Sequence, residues 1–233
     1  MVHTETIRTI VGVIGNVISF GLFASPIPTF VKILKEKSVG EFKPDPYLAT
    51  TLNCMMWVFY GLPFVHPDSI LVVTINSIGL VMEAAYLTIF FTYAPWNKRK
   101  KVIFVLLIEI IFMALVIFIT VQFFHTHSRR SMFVGILCCI FGIIMYGSPL
   151  TIMGRVIRTR SVKYMPFLLS LANFANGLVW SIYALLHFDP YVLVPNGLGF
   201  LLAVAQIVLY VTYCRATPRE DGNRTEVELS QTA

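Results

Sequence analysis

Apolar residues form long runs along the chain, separated by short polar or charged segments. The runs cover residues 9–31, 46–62, 70–93, 102–124, 132–154, 166–187 and 190–213. Most are close to the roughly 20 residues that an α-helix needs to cross the hydrocarbon core of a bilayer. The pattern therefore predicts an all-α membrane protein with seven transmembrane helices. The second run is the weakest, because polar Thr50, Thr51 and Asn53 lower its hydropathy.

The composition supports the prediction of a membrane protein. Of the 233 residues, 57% are hydrophobic and only 13% are charged, which is unlike a water-soluble domain. The net charge of +6 is compatible with nucleic-acid binding, but the basic residues lie between the apolar runs. We therefore expect a lipid bilayer around the protein and no nucleic-acid partner.

The basic residues also predict an orientation. With the N-terminus outside, fifteen of the eighteen lysines and arginines fall in inner loops or the C-terminal tail. Only Arg8, Arg129 and Arg130 then lie outside. Inner segments of membrane proteins are enriched in these residues. We therefore predict an outside N-terminus, a cytosolic C-terminus and an odd number of spans.

Two parts of the sequence resemble each other at a nearly constant spacing. Residues 25–39 reappear in altered form as 148–162, and Trp57 and Trp180 are likewise 123 positions apart. The first three spans thus correspond to the last three, and the fourth is unpaired. An odd connecting helix keeps both units in one orientation, so we predict two parallel three-helix-bundle repeats joined by a linker helix.

The repeat divides the chain into four segments. We expect a first triple-helix bundle at 9–93, a linker helix with its loops at 94–131, a second triple-helix bundle at 132–213 and a disordered cytosolic tail at 214–233.

Four prolines lie where spans of the two repeats meet the predicted inner loops: Pro26, Pro46, Pro149 and Pro166. Each removes a backbone donor and weakens its helix locally. A single proline at such a position is often only a first-turn residue. The symmetric set of four favours a ring of hinges at one depth.

Six residues of the repeat are candidates for a ligand site: Trp57, Trp180, Asn76, Asn196, Asn53 and Asn176. An amide within an apolar span is costly without a partner, so these amides should face the protein interior. The structural alternative is hydrogen bonding between helices. Indole faces and amides converging on the repeat axis suit a sugar, which has apolar CH faces and a rim of hydroxyls. We therefore predict a mono- or disaccharide substrate.

Glu83 and Glu109 are the carboxylates within the spans. A buried ionisable residue is a functional candidate by default, here for proton coupling. Neither has a counterpart in the other repeat, where Ala203 matches Glu83, so we interpret both as structural or interfacial. The histidines near the outer loops are expected to be solvated: His66, His125, His127 and His187.

The sequence contains no phosphate-binding loop, nucleophile–base spacing, catalytic carboxylate pair or HExxH motif. We expect no enzymatic activity, no cofactor and no metal site, and transport that runs downhill or on an ion gradient. Proton-coupled symporters and seven-helix receptors are the alternatives. Receptors lack such a duplication, and their Asp/Glu-Arg-Tyr and Asn-Pro-x-x-Tyr signatures are missing here.

Several short motifs follow one another between residues 8 and 213. They are Pro26-Ile27-Pro28-Thr29-Phe30, Trp57-Val58-Phe59-Tyr60-Gly61, Ser148-Pro149-Leu150, Met165-Pro166-Phe167 and Pro195-Asn196-Gly197-Leu198-Gly199. This ordered set resembles the SWEET family of eukaryotic sugar transporters, and its plant members most.

The resemblance implies facilitated, bidirectional sugar diffusion by alternating access. It implies that the four prolines form an inner gate and that Tyr60 and Asp189 pair at an outer gate. The two tryptophans with Asn76 and Asn196 match the family's central sugar site. The positions that tune substrate size are Ser19, Leu22, Asn53, Met145 and Asn176. Gly142 occupies the repeat position of Ser19, so one small polar contact is expected to be missing.

The resemblance also bears on the substrate. Leu22, Met145, Asn53 and Asn176 are bulkier than the valines and serines that sucrose-type members tend to carry. It therefore implies glucose and related hexoses, with sucrose as the alternative. Family analogy further implies a homo-oligomer, with a trimer as one form. The expected location is the plasma membrane, with the vacuolar membrane as the alternative.

Overall fold

The computed structural model describes residues 2–215. Within them the regular secondary structure consists of nine α-helices. They are α1 Val2–Ala24, α2 Ile27–Glu36, α3 Asp45–Tyr60, α4 Ile70–Tyr93, α5 Trp96–Phe123, α6 His127–Met145, α7 Gly147–Thr159, α8 Phe167–Leu186 and α9 Pro190–Tyr213. The all-α prediction is confirmed. Residues 216–233, which hold most of the predicted tail, lie outside the described residues.

The nine helices make seven crossings, because the first and fifth spans are each divided in two. One apolar span, His3–Glu36, contains α1 and α2, and another, His127–Thr159, contains α6 and α7. Helices α4, α5, α8 and α9 are each long and apolar enough to cross a membrane alone. Helix α3 supplies the seventh crossing.

Neighbouring helices shield α3, the short second span. Its 16 residues reach only about 24 Å, less than the ~30 Å of a bilayer core. Its buried side chains include Leu48, Cys54, Met56 and Phe59, and it packs against α4 and α6. Contacts with neighbouring helices therefore take the place of much of the contact with lipid, in which its polar residues would be unfavourable.

Prolines cause the breaks in the first and fifth spans. Pro26 has no N–H to offer the carbonyl of Leu22, which instead accepts from the Ser25 N–H at 3.1 Å, three residues on. Pro149 likewise removes the donor for the carbonyl of Met145, the residue at which α6 ends. A helix without its i to i−4 bond tightens or bends locally. The two breaks are therefore equivalent in the two repeats.

The expectation that basic loops follow directly after residues 31 and 154 is wrong, because the chain there continues as α2 and α7. Helix α2 buries Phe30 and Ile33 while Lys32 and Lys35 are exposed. Apolar residues on one helical face and lysines on the other make an amphipathic helix that can lie at the end of a bundle. The basic residues therefore extend a helix and do not end it.

The linker helix α5 starts six residues before the predicted position 102, so it includes the basic run 98–101. Lys98 Nζ donates to the carbonyls of Gly40 and Phe42, at 2.6 and 3.2 Å. These bonds hold the start of the linker helix against the loop between α2 and α3.

The packing of the helices repeats with the sequence. In the first repeat α4 packs against α1 and α3, and in the second α9 packs against α6 and α8. The repeats meet through two equivalent contacts, α1 with α8 and α3 with α6. Helix α5 packs against α3, α4 and α6. The fold is thus two parallel three-helix bundles with a linker helix on one side.

Gly177 allows a close approach between α8 and α9. A Cβ at this position would lie 2.8 Å from the Phe200 backbone nitrogen and 3.0 Å from the Asn196 carbonyl oxygen. Backbone atoms cannot move aside as a flexible side chain can. Gly177 therefore sets the distance between two helices that both carry candidate site residues.

We expect Gly177→Ala to destabilise the protein by about 1–3 kcal/mol, the usual cost of overpacking. Gly21→Ala is the matched control, since its Cβ would meet nothing within 4 Å, and alanine favours the helix. Thermal unfolding in detergent should show a lower melting temperature for Gly177→Ala alone. Equal melting temperatures for the two variants would contradict this account of the helix contact.

Candidate functional site

A cavity of about 460 Å³ is lined by residues of both bundles. Its wall contains all nine residues predicted to bind substrate: Ser19, Leu22, Asn53, Trp57, Asn76, Met145, Asn176, Trp180 and Asn196. It extends to Ser25 and Pro46, which are exposed. We call this side, where α2 and α7 lie, the basic end. The opposite side, with loops 61–69 and 187–189, is the Asp189 end.

The two tryptophans lie inside the protein on the cavity wall. Trp57 is 8% exposed and Trp180 is 6% exposed. Each meets the tyrosine three residues later edge to face: the Trp57 and Tyr60 ring centroids are 5.4 Å apart, and those of Trp180 and Tyr183 are 5.2 Å apart. This repeated Trp–Tyr pair forms a packed layer between the cavity and the Asp189 end.

Asn76 and Asn196 take the same conformation in the two repeats. The Asn76 amide nitrogen donates to the Val72 carbonyl at 2.9 Å, and that of Asn196 donates to the Val192 carbonyl at 2.8 Å. Each bond satisfies a donor within its own helix. The side-chain carbonyl oxygen is then the atom of each amide best placed to accept a hydrogen bond from a ligand hydroxyl.

Three of the predicted residues form a hydrogen-bonded chain across the repeat interface. Trp180 Nε1 donates to Ser19 Oγ at 3.0 Å, and the Ser19 hydroxyl donates to Asn176 Oδ1 at 2.6 Å. The chain fixes the indole of the second repeat from the first. Position 142 is glycine, so Trp57 has no equivalent serine, and the two sides of the cavity differ chemically.

Tyr60 and Asp189 close the Asp189 end. The Tyr60 hydroxyl lies 2.9 Å from both Asp189 carboxylate oxygens, and both side chains are buried. Asp189 Oδ1 also accepts from the backbone N–H groups of Tyr191 and Val192, at 3.0 and 3.2 Å. It therefore caps α9 while it joins the two repeats.

His66 belongs to this closure, and the expectation that it is solvated is wrong. Its Nε2 lies 3.3 Å from Asp189 Oδ2, its Nδ1 lies 3.0 Å from Ser131 Oγ, and its ring stacks on Tyr60 at 4.8 Å. Burial lowers the pKa of His66, and the Asp189 carboxylate opposes that shift. Positions 66 and 189 are 123 apart, so the repeat spacing was the signal that could have found it.

The four prolines do not all line the same cavity. Pro26 and Pro46 line the main cavity, whereas Pro149 lines a neighbouring cavity of about 240 Å³. Pro166 precedes the first residue of α8 and lines neither of these two cavities. The structure thus places them at helix breaks and helix starts of the basic end.

Sequence reasoning missed some of the wall. Thr50 and Asn173 are equivalent positions, 123 apart, and each lies one turn before a predicted asparagine. Glu83, which we interpreted as structural, also lies on the wall. Arg8, assigned to an outer segment, is buried, with its guanidinium carbon 4.4 Å from the Tyr183 ring centroid.

We expect Tyr60→Phe to loosen the Asp189 end, because it removes one hydroxyl and keeps the ring. A hydrogen bond to a charged group contributes about 1.5–3 kcal/mol, so local opening should become about tenfold more frequent or more. Amide hydrogen exchange of residues 61–69 and 187–192 measures this. Tyr47→Phe, at the basic end, is the control. Unchanged exchange in Tyr60→Phe would show that the bond does not hold this end closed.

The family of the chain follows from comparison with known proteins. The sequence profile of a family described as "Sugar efflux transporter for intercellular exchange" matches residues 9–99 and again 132–218. The chain is similar to "Bidirectional sugar transporter SWEET5" of Arabidopsis thaliana, with 62% identity over 96% of this chain and 93% of the relative. It is also similar to "Bidirectional sugar transporter SWEET7b" of Oryza sativa subsp. indica, with 57% identity over 97% and 85%.

A solved structure agrees with these relatives. The structure of a eukaryotic SWEET transporter superposes with a TM-score of 0.87 at 40% identity, covering 91% of this chain and 99% of that one. The two profile matches fall on the two bundles. The chain therefore belongs to the SWEET family of sugar efflux transporters.

Proposed function

We propose that this chain is a facilitative, bidirectional uniporter for neutral sugars, with glucose and related hexoses as its preferred substrates. The observation that carries the proposal is the shared cavity whose wall presents Trp57, Trp180, Asn76 and Asn196 from equivalent positions of the two repeats. Relatives named as bidirectional sugar transporters support it. No cofactor takes part.

The wall residues suit the two kinds of surface on a sugar. The indoles of Trp57 and Trp180 offer flat apolar faces to its CH groups. The carbonyl oxygens of Asn76 and Asn196 accept from its hydroxyls. Asn53, which also lines the cavity, adds further donors and acceptors. Because the site lies between the two repeats, a movement of one repeat against the other can open it to either end.

Bulky side chains at equivalent positions favour a hexose over sucrose. Leu22 and Met145 are 123 positions apart, and both line the cavity. Asn53 and Asn176 add volume at a second equivalent pair. A pocket narrowed from both sides fits one sugar ring closely and leaves less room for the second ring of sucrose.

We further propose alternating access. The Tyr60–Asp189 bond closes one end, while the cavity extends to the exposed Ser25 and Pro46 at the other. Release on the Asp189 side requires that bond to open and the basic end to close. The helix breaks at Pro26 and Pro149, with the helix starts at Pro46 and Pro166, supply the hinges.

The remaining parts of the proposal concern the setting. We place the basic end in the cytosol, following the distribution of lysine and arginine, and the N-terminus outside. The working units are the bundles 9–93 and 132–213 with the linker 94–131, followed by a tail at 214–233. We propose the plasma membrane as the location, with the vacuolar membrane as the alternative, and a homo-oligomeric assembly such as a trimer.

Uptake into proteoliposomes tests the proposal. We expect labelled glucose to enter faster than labelled sucrose and to stop at equal concentrations inside and outside. A protonophore should have no effect, because uniport of a neutral sugar needs no gradient. Met145→Val should raise the ratio of sucrose to glucose uptake. Equal uptake of both sugars contradicts the hexose preference, and inhibition by the protonophore would indicate a symporter.

The hinges can be tested separately. Pro26→Ala and Pro149→Ala restore the missing backbone donors, so each broken span should stiffen and transport should slow. A barrier raised by about 1.4 kcal/mol slows a step tenfold, well within reach of an uptake assay. Pro95→Ala, at the start of α5, is the control. Wild-type uptake by variants that reach the membrane in normal amounts would refute the hinge.

A further inference from the structure

Glu83 occupies an unusual position in the cavity wall. It lies on α4, is 3% exposed, and lines the cavity together with Tyr47 and Thr50. Its Oε2 is buried and has no hydrogen-bond partner within the described part of the chain. No ion pair with Glu83 is found among residues 2–215. A buried carboxyl oxygen without a partner is costly. Because Glu83 lies on a cavity wall, a solute in the cavity can supply that partner.

The neighbouring groups do not fill this role. Tyr47, Tyr86 and Cys54 are near enough to interact electrostatically with Glu83. The Tyr86 hydroxyl, however, donates to the Phe23 carbonyl at 2.8 Å. The carboxyl therefore faces a polar but uncharged surrounding on the wall of a cavity large enough for a small solute.

The scaffold itself does not require a carboxylate here. The equivalent position in the second repeat is Ala203, which lines the neighbouring cavity. The fold tolerates a methyl group in one repeat, whereas the cavity of the first repeat keeps an acid. The difference is best explained by something that contacts one repeat only.

The distance along α4 separates Glu83 from the central asparagine. Asn76 and Glu83 are seven residues apart, about two helical turns or roughly 10 Å of rise. Helix α4 runs from the Asp189 end to the basic end, so Glu83 lies between the asparagines and the exposed mouth. A sugar that leaves the asparagines toward the basic end passes it.

We propose that Glu83 is a further substrate-contacting residue, whose carboxyl accepts hydrogen bonds from sugar hydroxyls on the path between the central site and the basic end. This inference rests on the proposed sugar transport. It gives the path two binding sites of different chemistry. One is symmetric and consists of indoles and amides, and the other is a carboxyl on the first repeat alone. It also replaces the structural interpretation of Glu83.

The test is glucose binding by the purified full chain in detergent, measured by calorimetry, with Glu83→Ala and Glu83→Gln. Glu83→Ala removes this hydrogen bond and leaves the sugar hydroxyl without its partner, so glucose binding should weaken about tenfold. Glu83→Gln keeps an acceptor, so it should lose less, about threefold. Glu109→Ala is the matched control. That side chain is 5% exposed, and among residues 2–215 its Oε2 also lacks a partner, but it does not line the cavity.

Singly deoxygenated glucoses distinguish direct contact from a structural effect. If Glu83 contacts one hydroxyl, the sugar lacking that hydroxyl should bind wild type about tenfold more weakly than glucose does. Glu83→Ala should then bind that sugar and glucose almost equally. Glu83→Gln serves the same comparison if Glu83→Ala does not fold.

The inference is overturned if Glu83 and Glu109 variants behave alike, or if Glu83→Ala weakens glucose and every deoxyglucose by one factor. Failure of the proposed function looks different, because wild type itself would then neither bind nor transport glucose.

Discussion

Polar side chains midway along a membrane-crossing helix must find partners or turn away from lipid, since hydrocarbon offers them no hydrogen bonds. The amides of Asn76 and Asn196 meet this constraint by bonding to their own helices and facing a shared interior. Because the sequence is duplicated, both amides meet this constraint in the same way. One helix pattern, used twice, places two indoles and two amides around one space.

The departures from symmetry are as informative as the symmetry. Ser19 fixes Trp180, whereas the equivalent Gly142 leaves Trp57 without that hydroxyl. Position 66 is histidine and its equivalent, 189, is aspartate, so the two repeats meet through unlike groups at the closed end. A fully symmetric pair of carboxylates there would repel each other. The unequal residues allow a bond that one repeat could not form with a copy of itself.

Much of the fold was predictable, because the bilayer thickness sets the length of an apolar run that can cross it as a helix. The breaks beside Pro26 and Pro149 were anticipated as weak points, but the continuation of α2 beyond residue 31 and of α7 beyond residue 154 was not predicted. Hydropathy falls where a helix turns its charged face to water, although the backbone bonds continue. Helical periodicity in residues 27–36, with Phe30 and Ile33 on one face, carried the missing signal.

The candidate site was predictable where residue type and repeat position pointed the same way, as for Trp57 and Asn76. It was not predictable where only packing decides. His66 was interpreted as a solvated loop residue. Its spacing of 123 positions from Asp189 pointed to a shared role, but the stacking of its ring on Tyr60 comes from packing alone. Glu83 was read against its unlike partner Ala203, which obscured its place on the wall. Whether these side chains are buried, and which groups they contact, depends on helices that are distant in sequence.

The most direct test of the central claim is an experimental structure of the chain with glucose bound. The account predicts density for one sugar ring between the indoles of Trp57 and Trp180, within hydrogen-bonding distance of Asn76 and Asn196. Sugar bound elsewhere, with the space between the two tryptophans filled by side chains or water, would contradict it.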